Sequence, residues 1–142
     1  MVEIRPTLPG DTWLILADLR PAEVAEFDAL GVTSEECMRI GLARSNAFTM
    51  FIAGQPAGMF GLMDFGTYQV PWGVFTTVID RHPIAFLRAA RRWAEALSST
   101  TVNYVDVRNE LAVKWFEWMG FTLSEPVEYG LNSETFRQVR VH

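Results

Sequence analysis

The sequence predicts an α/β (α+β) fold, in which a mixed, mostly antiparallel central sheet of about six to seven strands carries helices on both faces. Three observations support this prediction. Runs rich in β-branched and aromatic residues recur along the chain and are bounded by turn residues. Two long amphipathic segments, 83–97 and 109–119, interrupt these runs as crossover helices would. The strands come in groups between the helices, which favours one layered sheet.

Length and composition limit the class of protein. The chain has 142 residues, which predicts one domain over residues 1–142 with a sizeable core. Its formal net charge of −5 argues against nucleic acid as a partner. Cys37 is the single cysteine, and His82 and His142 are the two histidines. These counts exclude an internal disulfide and argue against a metal site built from cysteine or histidine.

No targeting or membrane segment is expected from the sequence. The start of the chain, Met1 to Pro6, is charged and strand-like, unlike a signal peptide. No apolar run approaches the ~20 residues that a membrane helix needs. We therefore expect an intracellular protein that works in solution.

Local signals predict the elements of the first half of the chain. Pro21 suits the first position of a helix that runs to Leu30, and Gly31 suits its end. The segment from Thr33 to Glu36 is a capping box, which predicts a helix to about residue 44. The other predicted elements are a helix at 12–19 and strands at 2–7, 48–53, 57–65 and 72–79.

The second half is predicted to contain two helices and three strands. Pro83 begins a helix that reaches Leu97, with apolar side chains on one face and arginines on the other. A strand at 102–107 leads to Asn109, which is a suitable N-cap. The helix that follows ends at Gly120, because glycine readily adopts the left-handed conformation. A closing hairpin is predicted from strands at 121–128 and 135–141 around residues 130–133.

The helix after Asn109 is apolar on two sides. One stripe contains Leu111, Trp115 and Trp118, and the other contains Ala112, Phe116 and Met119. A helix with two apolar sides is buried between layers or covered by a ligand or a partner. Periodicity does not choose between these alternatives. The tryptophans of the chain are likewise compatible with the core, a pocket or a dimer contact.

The spacing of Asn109, Ala112, Phe116, Gly120 and Phe121 resembles the last motif of the GNAT (GCN5-related N-acetyltransferase) superfamily. The order of the predicted elements is similar to that fold along essentially the whole chain. The resemblance implies acetyl-CoA or another acyl-CoA as cofactor, an amine as acceptor, and Asn109 beside the coenzyme A arm. Phe116 stands where many of these enzymes carry a tyrosine that protonates the departing thiolate, and a phenyl ring has no proton to give.

The turn before the helix at Pro83 departs from the superfamily pattern. GNAT proteins hold the pyrophosphate of coenzyme A with a glycine-rich turn, and residues 80–86 contain no glycine. Glycine lets backbone amides approach phosphate, while Pro83 has no amide to donate. Arg81, His82 and Ile84 remain candidate cofactor-binding residues, because a helix N-terminus and an arginine both favour phosphate. The alternative is a capped helix with a solvated arginine face.

Carboxylates near the predicted centre of the sheet are candidate general bases for an incoming amine. Asp106 is the first choice, since it ends a strand three residues before Asn109, and Asp64 is the second. The alternative for both is a carboxylate that caps a turn. Cys37 is better explained as a small buried apolar residue than as a nucleophile, and His82 as a helix cap than as a base.

A narrower resemblance covers nearly the full length of the chain. It is carried by the segments 19–24, 81–93, 103–109 and 114–121. These segments resemble a small protein family that is encoded by tailed bacteriophages. That family is similar to the internal virion (core) protein A of short-tailed phages. The resemblance implies a phage origin and a place in the host cytoplasm during infection, with association to the virion. It also implies phage structural proteins or a second copy of the chain as partners.

Two main functions therefore stand open. The first is a phage GNAT-like protein that is related to virion morphogenesis and has a weakened or lost acyltransferase activity. The second is an active N-acetyltransferase that uses acetyl-CoA on an amine. The missing glycines and Phe116 favour the first, while the order of the elements supports both. A module that masks or modifies a host protein is a third alternative, so the sequence leaves open whether the chain is an enzyme.

Overall fold

A computed structural model describes residues 1–97, 101–129 and 134–140. Within these ranges the chain forms eight strands and six helices. The strands are β1 (Val2–Pro6), β2 (Phe48–Ile52), β3 (Gln55–Asp64), β4 (Gln69–Phe75), β5 (Val102–Asp106), β6 (Thr122–Leu123), β7 (Val127–Tyr129) and β8 (Glu134–Arg140). The helices are α1 (Asp11–Leu16), α2 (Pro21–Leu30), α3 (Ser34–Arg44), α4 (Val78–Arg81), α5 (Pro83–Ala94) and α6 (Glu110–Trp118).

The strands form two antiparallel half-sheets that meet side by side. The first half-sheet has the order β1-β2-β3-β4, and the second has the order β5-β8-β6, with β7 also paired to β8. The halves are joined where β4 and β5 begin, by a parallel bridge between Gln69 and Thr101. The side-chain Nδ2 of Asn103 reinforces this junction by donating to the carbonyl of Pro71 at 2.6 Å. The arrangement confirms the predicted mixed, mostly antiparallel sheet.

Helices cover both faces of the sheet, as predicted. On one face, Phe86 of α5 and Trp115 of α6 pack with strand residues such as Phe60. On the other face, one side chain from each of α1, α2 and α3 joins the strand residues Met59 and Val74. Those three helix residues are Ile15, Phe27 and Met38. The two apolar clusters stabilise the layers by removing these side chains from water.

The helix ends follow the local signals closely. Thr33 Oγ1 accepts a hydrogen bond from the Glu36 N–H at 3.1 Å, as the predicted capping box requires, and donates to the Glu36 carboxylate at 3.1 Å, so the second bond of the pair joins the two side chains. Asn109 Oδ1 accepts from the Ala112 N–H at 3.3 Å and caps α6. Gly31 ends α2 in the left-handed region, with φ 78°. These caps define where α3 and α6 begin and where α2 ends.

The predicted strand at 72–79 requires correction. The strand β4 begins earlier, at Gln69, and ends at Phe75, while Val78 and Ile79 belong to the short helix α4. The backbone turns because the Thr76 side-chain oxygen accepts from the Val78 N–H at 3.2 Å, and its carbonyl accepts from the Ile79 N–H at 3.3 Å. A short β-branched run fits a buried helical turn as well as a strand, so its sequence does not separate the two.

Two further element predictions differ in detail. The first helix ends at Leu16, three residues before the predicted end at position 19. The predicted strand 121–128 is divided into β6 and β7. The Ser124 N–H still donates to the Gln138 carbonyl at 2.9 Å, but the Gln138 N–H donates to Ser124 Oγ at 2.8 Å instead of a carbonyl, and Pro126 has no N–H to pair. The predicted turn at 130–133 lies outside the described residues. None of the helices in the described ranges has the length and apolar character required to cross a membrane.

Candidate functional site

The two half-sheets part beyond the Gln69–Thr101 bridge and leave a gap between the C-terminal ends of β4 and β5. This gap contains a pocket of about 160 Å³, which we call the gap pocket. Its walls are mostly apolar and include Phe60, Phe75, Phe86, Trp93, Trp115 and Phe116. An apolar cavity of about 150 Å³ holds a benzene molecule. The gap pocket can therefore accept a small apolar group without rearrangement.

Aromatic rings close the side of the gap that faces α5 and α6. The Phe86 ring lies 5.0 Å from the Phe75 ring and 4.8 Å from the Trp115 ring, measured between centroids. These contacts connect β4, α5 and α6, and tilted ring pairs of this kind stabilise their packing. This side of the gap is thus apolar. The ionisable groups that line the gap lie on the opposite side.

Helix α2 crosses the opposite side of the gap and carries two glutamates there. Glu23 and Glu26 lie three residues apart and therefore share one face of the helix. The Oε1 atom of Glu26 accepts from the backbone N–H of Asp106 at 2.9 Å, at the end of β5. Glu23 interacts in the same way with the backbone of Phe75, at the end of β4. Each glutamate therefore covers the edge of one of the two separated strands.

Burial raises the pKa of both carboxyl groups. Loss of water, assisted by the charge of Glu26, raises the pKa of Glu23 to about 8. Burial also raises the pKa of Glu26 to about 7, although the backbone hydrogen bond from Asp106 opposes the rise. A carboxyl group whose pKa lies near neutrality can exchange a proton with an amine at physiological pH. The pair is chemically suited to general acid–base catalysis.

Arg20, the residue before α2, connects the glutamates to the helices around the gap. Its Nε donates to both carboxylate oxygens of Asp80 at 3.2 Å, and its Nη1 donates to Oε1 of Glu23 at 3.4 Å. Its Cζ lies 5.2 Å from the centre of the Trp115 ring. The Arg20 side chain is 7% exposed, so these contacts occur largely out of water. The Asp80 carboxylate compensates its charge, and the Glu23 carboxyl group accepts a further hydrogen bond from it.

The edge of β4 that faces the gap has one open position. The Pro71 carbonyl accepts from Asn103, and the Phe75 carbonyl accepts from the Arg20 N–H at 3.2 Å. Backbone groups alternate along a strand, so Gly73, two residues from each, directs its N–H and C=O toward the gap. Gly73 lines the pocket. A ligand with an amide or carbonyl group can pair with the backbone at this position.

The two predicted bases lie in different surroundings. Asp106 borders the gap, but Arg108 binds both of its carboxylate oxygens, with the shortest contact at 2.6 Å. Burial alone would raise the pKa of Asp106. The hydrogen bonds and the charge of Arg108 outweigh this effect and hold the pKa of Asp106 below its ordinary value. Asp64 is exposed at the end of β3, where it accepts from the Gly66 N–H at 2.8 Å. The structure therefore brings Asp106, and not Asp64, to the gap.

Asn109 and Phe116, two predicted cofactor-binding residues, both line the gap pocket. Asn109 is 8% exposed and caps α6 through its side-chain oxygen. The Phe116 ring meets the Phe121 ring edge to face at 5.4 Å. Both residues contribute to the α6 wall of the gap, beside Trp115.

The remaining predicted cofactor-binding residues lie at the junction of α4 and α5, outside the lining of the gap pocket. The exposed Arg81 donates to Thr77 Oγ1 at 3.1 Å and to Gln55 Oε1 at 3.4 Å. His82 precedes α5 and makes no side-chain cap hydrogen bond, and Ile84 is 61% exposed in the first turn. These residues are grouped at one helix start, apart from Asp106, Asn109 and Phe116.

Comparison with known proteins identifies the fold. No family model and no curated protein matches the chain. An aminoglycoside N(6')-acetyltransferase from Legionella pneumophila matches with a TM-score of 0.73 and 9% identity, over 99% of this chain and 91% of that chain. A GNAT-family acetyltransferase from Streptococcus pneumoniae matches with a TM-score of 0.62 and 18% identity over 100% of both chains. PaiA N-acetyltransferase from Thermoplasma acidophilum, in complex with coenzyme A, matches with a TM-score of 0.61 and 13% identity over 99% of both chains.

These similarities define the class of fold. The chain has the fold of GNAT-family acetyltransferases, as its sequence motif predicts. Identities this low are evidence for the fold alone. The matched structures give no support to the resemblance to phage virion proteins, and that part of the interpretation stays a prediction.

Proposed function

We propose that the chain is an N-acyltransferase, which moves an acyl group from acetyl-CoA or another acyl-CoA to an amine. One observation carries the proposal: two carboxyl groups with raised pKa values, Glu23 and Glu26, face an apolar pocket between two separated strands. The fold shared with acetyltransferases supports the same class of reaction.

The proposed reaction begins when the amine, bound as an ammonium ion, gives a proton to the Glu26 carboxylate. Its nitrogen then forms a bond to the thioester carbonyl carbon. The Gly73 N–H, which faces the gap, donates to the oxygen that becomes negative in this step. When the carbon–sulfur bond breaks, the remaining surplus proton on the nitrogen passes through water to the thiolate, since Phe116 has none to give. Glu26 returns its proton to water.

The acyl-CoA is proposed to lie along the start of α5 and enter the gap. Asn109 and Phe116 would contact the thioester end, because both line the pocket. Arg81, His82 and Ile84 would lie near the phosphates, where the N-terminus of α5 favours negative charge. Asp80 does not oppose this placement with a free charge, because it is paired with Arg20.

Asp106 and Asp64 stay alternative bases. Glu26 is preferred to Asp106 because Arg108 stabilises the ionised form of that aspartate and weakens it as a proton acceptor. Glu26 is preferred to Asp64 because the exposed Asp64 is remote from the lining of the gap pocket.

The direct test is acyl transfer from acetyl-CoA to a panel of amines, followed by mass spectrometry of the products. The Glu26→Gln variant is expected to lower kcat/KM by about 100-fold or more and to remove the titration near pH 7 from the rate profile. Glu35→Gln, on the exposed side of α3, is the matched control and should retain both. An unchanged pH profile in Glu26→Gln would show that another group is the base.

Binding of the donor is tested separately by thermal melting. Acetyl-CoA at 100 times its dissociation constant should stabilise the protein by ~2.7 kcal/mol. The Arg81→Glu variant should reduce this stabilisation, because it reverses a charge at the proposed phosphate site. If acetyl-CoA gives neither a melting shift nor a calorimetric signal, the acyltransferase proposal fails.

A second candidate is a protein with this fold that has lost the transfer reaction. Two observations favour it. The Arg20 N–H already donates to the Phe75 carbonyl at the edge of β4, and the turn at 80–86 contains no glycine. A role in virion assembly, with phage structural proteins or a second copy as partner, belongs to this candidate. Deleting the gene from a phage that encodes it should then give defective particles, whereas normal particles would count against the role.

A further inference from the structure

Strand β1 forms the outer edge of the first half-sheet. In the part of the chain that the structure describes, β2 is the only strand paired with β1. The Ala53 N–H donates to the Met1 carbonyl at 2.9 Å, and the Thr7 N–H donates to the Ala47 carbonyl at 3.0 Å. These two bonds continue the β1–β2 ladder at both of its ends, so they fix the phase of the hydrogen bonding along β1.

This phase determines which backbone groups of β1 point outward. Hydrogen-bonded positions alternate in an antiparallel pair, so residues 1, 3, 5 and 7 direct their N–H and C=O groups toward β2. The backbone groups of Val2, Ile4 and Pro6 therefore face away from the sheet. Pro6 has no N–H to leave unpaired there, and its carbonyl accepts from the Arg5 side chain at 3.1 Å. The outer edge thus offers N–H groups at Val2 and Ile4 and carbonyls at all three positions.

The side chains of β1 alternate between the two faces of the sheet. Val2 packs against the apolar cluster on the α5 side, and Ile4 lies on the same face, where it is 44% exposed. Glu3 is exposed on the other face together with Arg5, which binds Asp11 of α1 at 2.7 Å. The edge therefore has an apolar centre on one face and two opposite charges on the other.

This pattern is complementary to itself about Ile4. When two copies of β1 pair in antiparallel orientation with Ile4 opposite Ile4, Val2 lies opposite Pro6 and Glu3 lies opposite Arg5. The two Ile4 residues then exchange backbone hydrogen bonds, and each Val2 N–H meets a Pro6 carbonyl. Glu3 and Arg5 occupy the non-hydrogen-bonded positions, where facing side chains are closest and opposite charges attract.

The charges select this register over its neighbours. Pairing centred on Glu3 places two carboxylates opposite each other, and pairing centred on Arg5 places two guanidinium groups opposite each other. Like charges that face each other across a strand pair are destabilising. Of the three antiparallel registers, the one centred on Ile4 therefore combines opposite charges with an apolar contact.

We propose that the outer edge of β1 is a dimer interface, which binds the same strand of a second copy of this chain. The two first half-sheets, each with the order β1-β2-β3-β4, join into one antiparallel sheet. Strand β4 lies at the far edge of each half-sheet, so both gap pockets stay accessible. This interface does not depend on the proposed acyltransferase reaction.

Sedimentation equilibrium tests the association. Two five-residue strands form a small contact, for which we expect a dissociation constant of about 10–100 µM. The mass should rise from that of one chain to that of two across this concentration range. Glu3→Lys places a second cation opposite Arg5 and should weaken the dimer about tenfold. Glu35→Lys, on the exposed side of α3, makes the same change in net charge and should dimerise like the wild type.

Disulfide formation tests the register. In a Cys37→Ala background, Ile4→Cys places two thiols at a hydrogen-bonded pair whose Cα atoms are about 5.5 Å apart, which a disulfide can bridge. Leu8→Cys is the matched control, because Leu8 is 54% exposed but lies four positions beyond the centre, so its two copies are out of reach. Ile4→Cys should therefore form covalent dimers under mild oxidation while Leu8→Cys stays a single chain.

Three results would overturn the β1 interface. One is a wild-type mass of a single chain at every concentration. Another is a Glu3→Lys variant that dimerises as tightly as the wild type. The third is equal cross-linking of Ile4→Cys and Leu8→Cys, or no cross-linking of Ile4→Cys, either of which would assign any observed dimer to another surface.

Discussion

The guanidinium of Arg20 lies over the ring of Trp115, with 5.2 Å between its Cζ and the ring centre. Because Arg20 also binds Asp80 and Glu23, one side chain joins the start of α2 to α4 and α6. Trp115 in turn packs on Phe86 at 4.8 Å. Arg20 therefore links elements on both sides of the gap through Glu23, Asp80 and Trp115.

Replacing Arg20 tests this relationship. We expect Arg20→Gln to destabilise the protein by about 1–3 kcal/mol, because it leaves the buried carboxyl group of Glu23 without a hydrogen-bond partner and removes the contact with Trp115. Urea unfolding followed by circular dichroism measures the change. The matched control is Arg91→Gln, whose pair with Glu95 is exposed and should contribute less than about 1 kcal/mol. Equal effects of the two substitutions would mean that Arg20 contributes no more than a surface residue.

The stability of the protein should fall as the pH rises from about 5 to above 8. Glutamates in the unfolded chain titrate near 4.5, whereas the folded pKa values of Glu23 and Glu26 are about 8 and about 7. Between these limits the folded state binds more protons than the unfolded state, so raising the pH favours unfolding. The contribution of the two glutamates to stability is complete below pH 4.5. It is lost as the pH rises through their folded pKa values, and the loss is on the order of a few kcal/mol.

Urea unfolding at pH 5.5, 7.0 and 8.5 measures this dependence. The double variant Glu23→Gln/Glu26→Gln should show a flatter profile, and Glu35→Gln should keep the wild-type profile. A double variant that loses stability as steeply as the wild type would show that other groups cause the dependence.

The cap role of Asn109 can be separated from a role in binding. Asn109→Ala should destabilise the protein by about 1 kcal/mol, because the Ala112 N–H loses its acceptor. Asn109→Asp should retain the cap and nearly all of the stability, since aspartate caps helices as well as asparagine does. Aspartate places a negative charge in the wall of the gap, so we expect weaker binding of acetyl-CoA by calorimetry. Unchanged affinity in Asn109→Asp, with wild-type stability, would limit Asn109 to its structural role.

Close contact between α3 and β4 should make Gly41 sensitive to substitution. A Cβ atom at Gly41 would lie 2.5 Å from Cε2 of the Trp72 ring. Gly41→Ala gains about 1 kcal/mol from helix propensity and loses about 1–3 kcal/mol from overpacking, so we expect net destabilisation. The melting temperature measures it. Ala43→Gly, on the exposed side of α3, provides a reference for the propensity term, and a stabilised Gly41→Ala would show that the Trp72 ring moves at little cost.

Local sequence signals were sufficient for most of the fold. The capping box at Thr33, the proline and glycine that bound α2, and the Asn109 cap all act through hydrogen bonds or dihedral angles within four residues. Such signals do not depend on the rest of the chain. The short helix α4 was missed because its Val78 and Ile79 are β-branched, and their helical conformation depends on hydrogen bonds to Thr76 and on burial.

The candidate site was predicted only in part. Asn109 and Phe116 line the gap pocket because α6 forms one of its walls, and Asp106 ends β5 with its backbone N–H on Glu26. Glu23 and Glu26 were missed, since their burial arises from contacts with β4 and β5, about 50 and 80 positions further along the chain. The available signal was two glutamates three apart within a mostly apolar segment, which is also typical of an ordinary solvated helix face.

The parting of β4 from β5 leaves two strand edges facing each other without a complete ladder between them. Open edges of this kind recruit strands from other molecules and promote aggregation. Here the backbone of Arg20 and the carboxylates of α2 bind the edge groups of Phe75 and Asp106. Helix α2 therefore acts as a cover that keeps a ligand-sized opening in the sheet from becoming a template for misassembly.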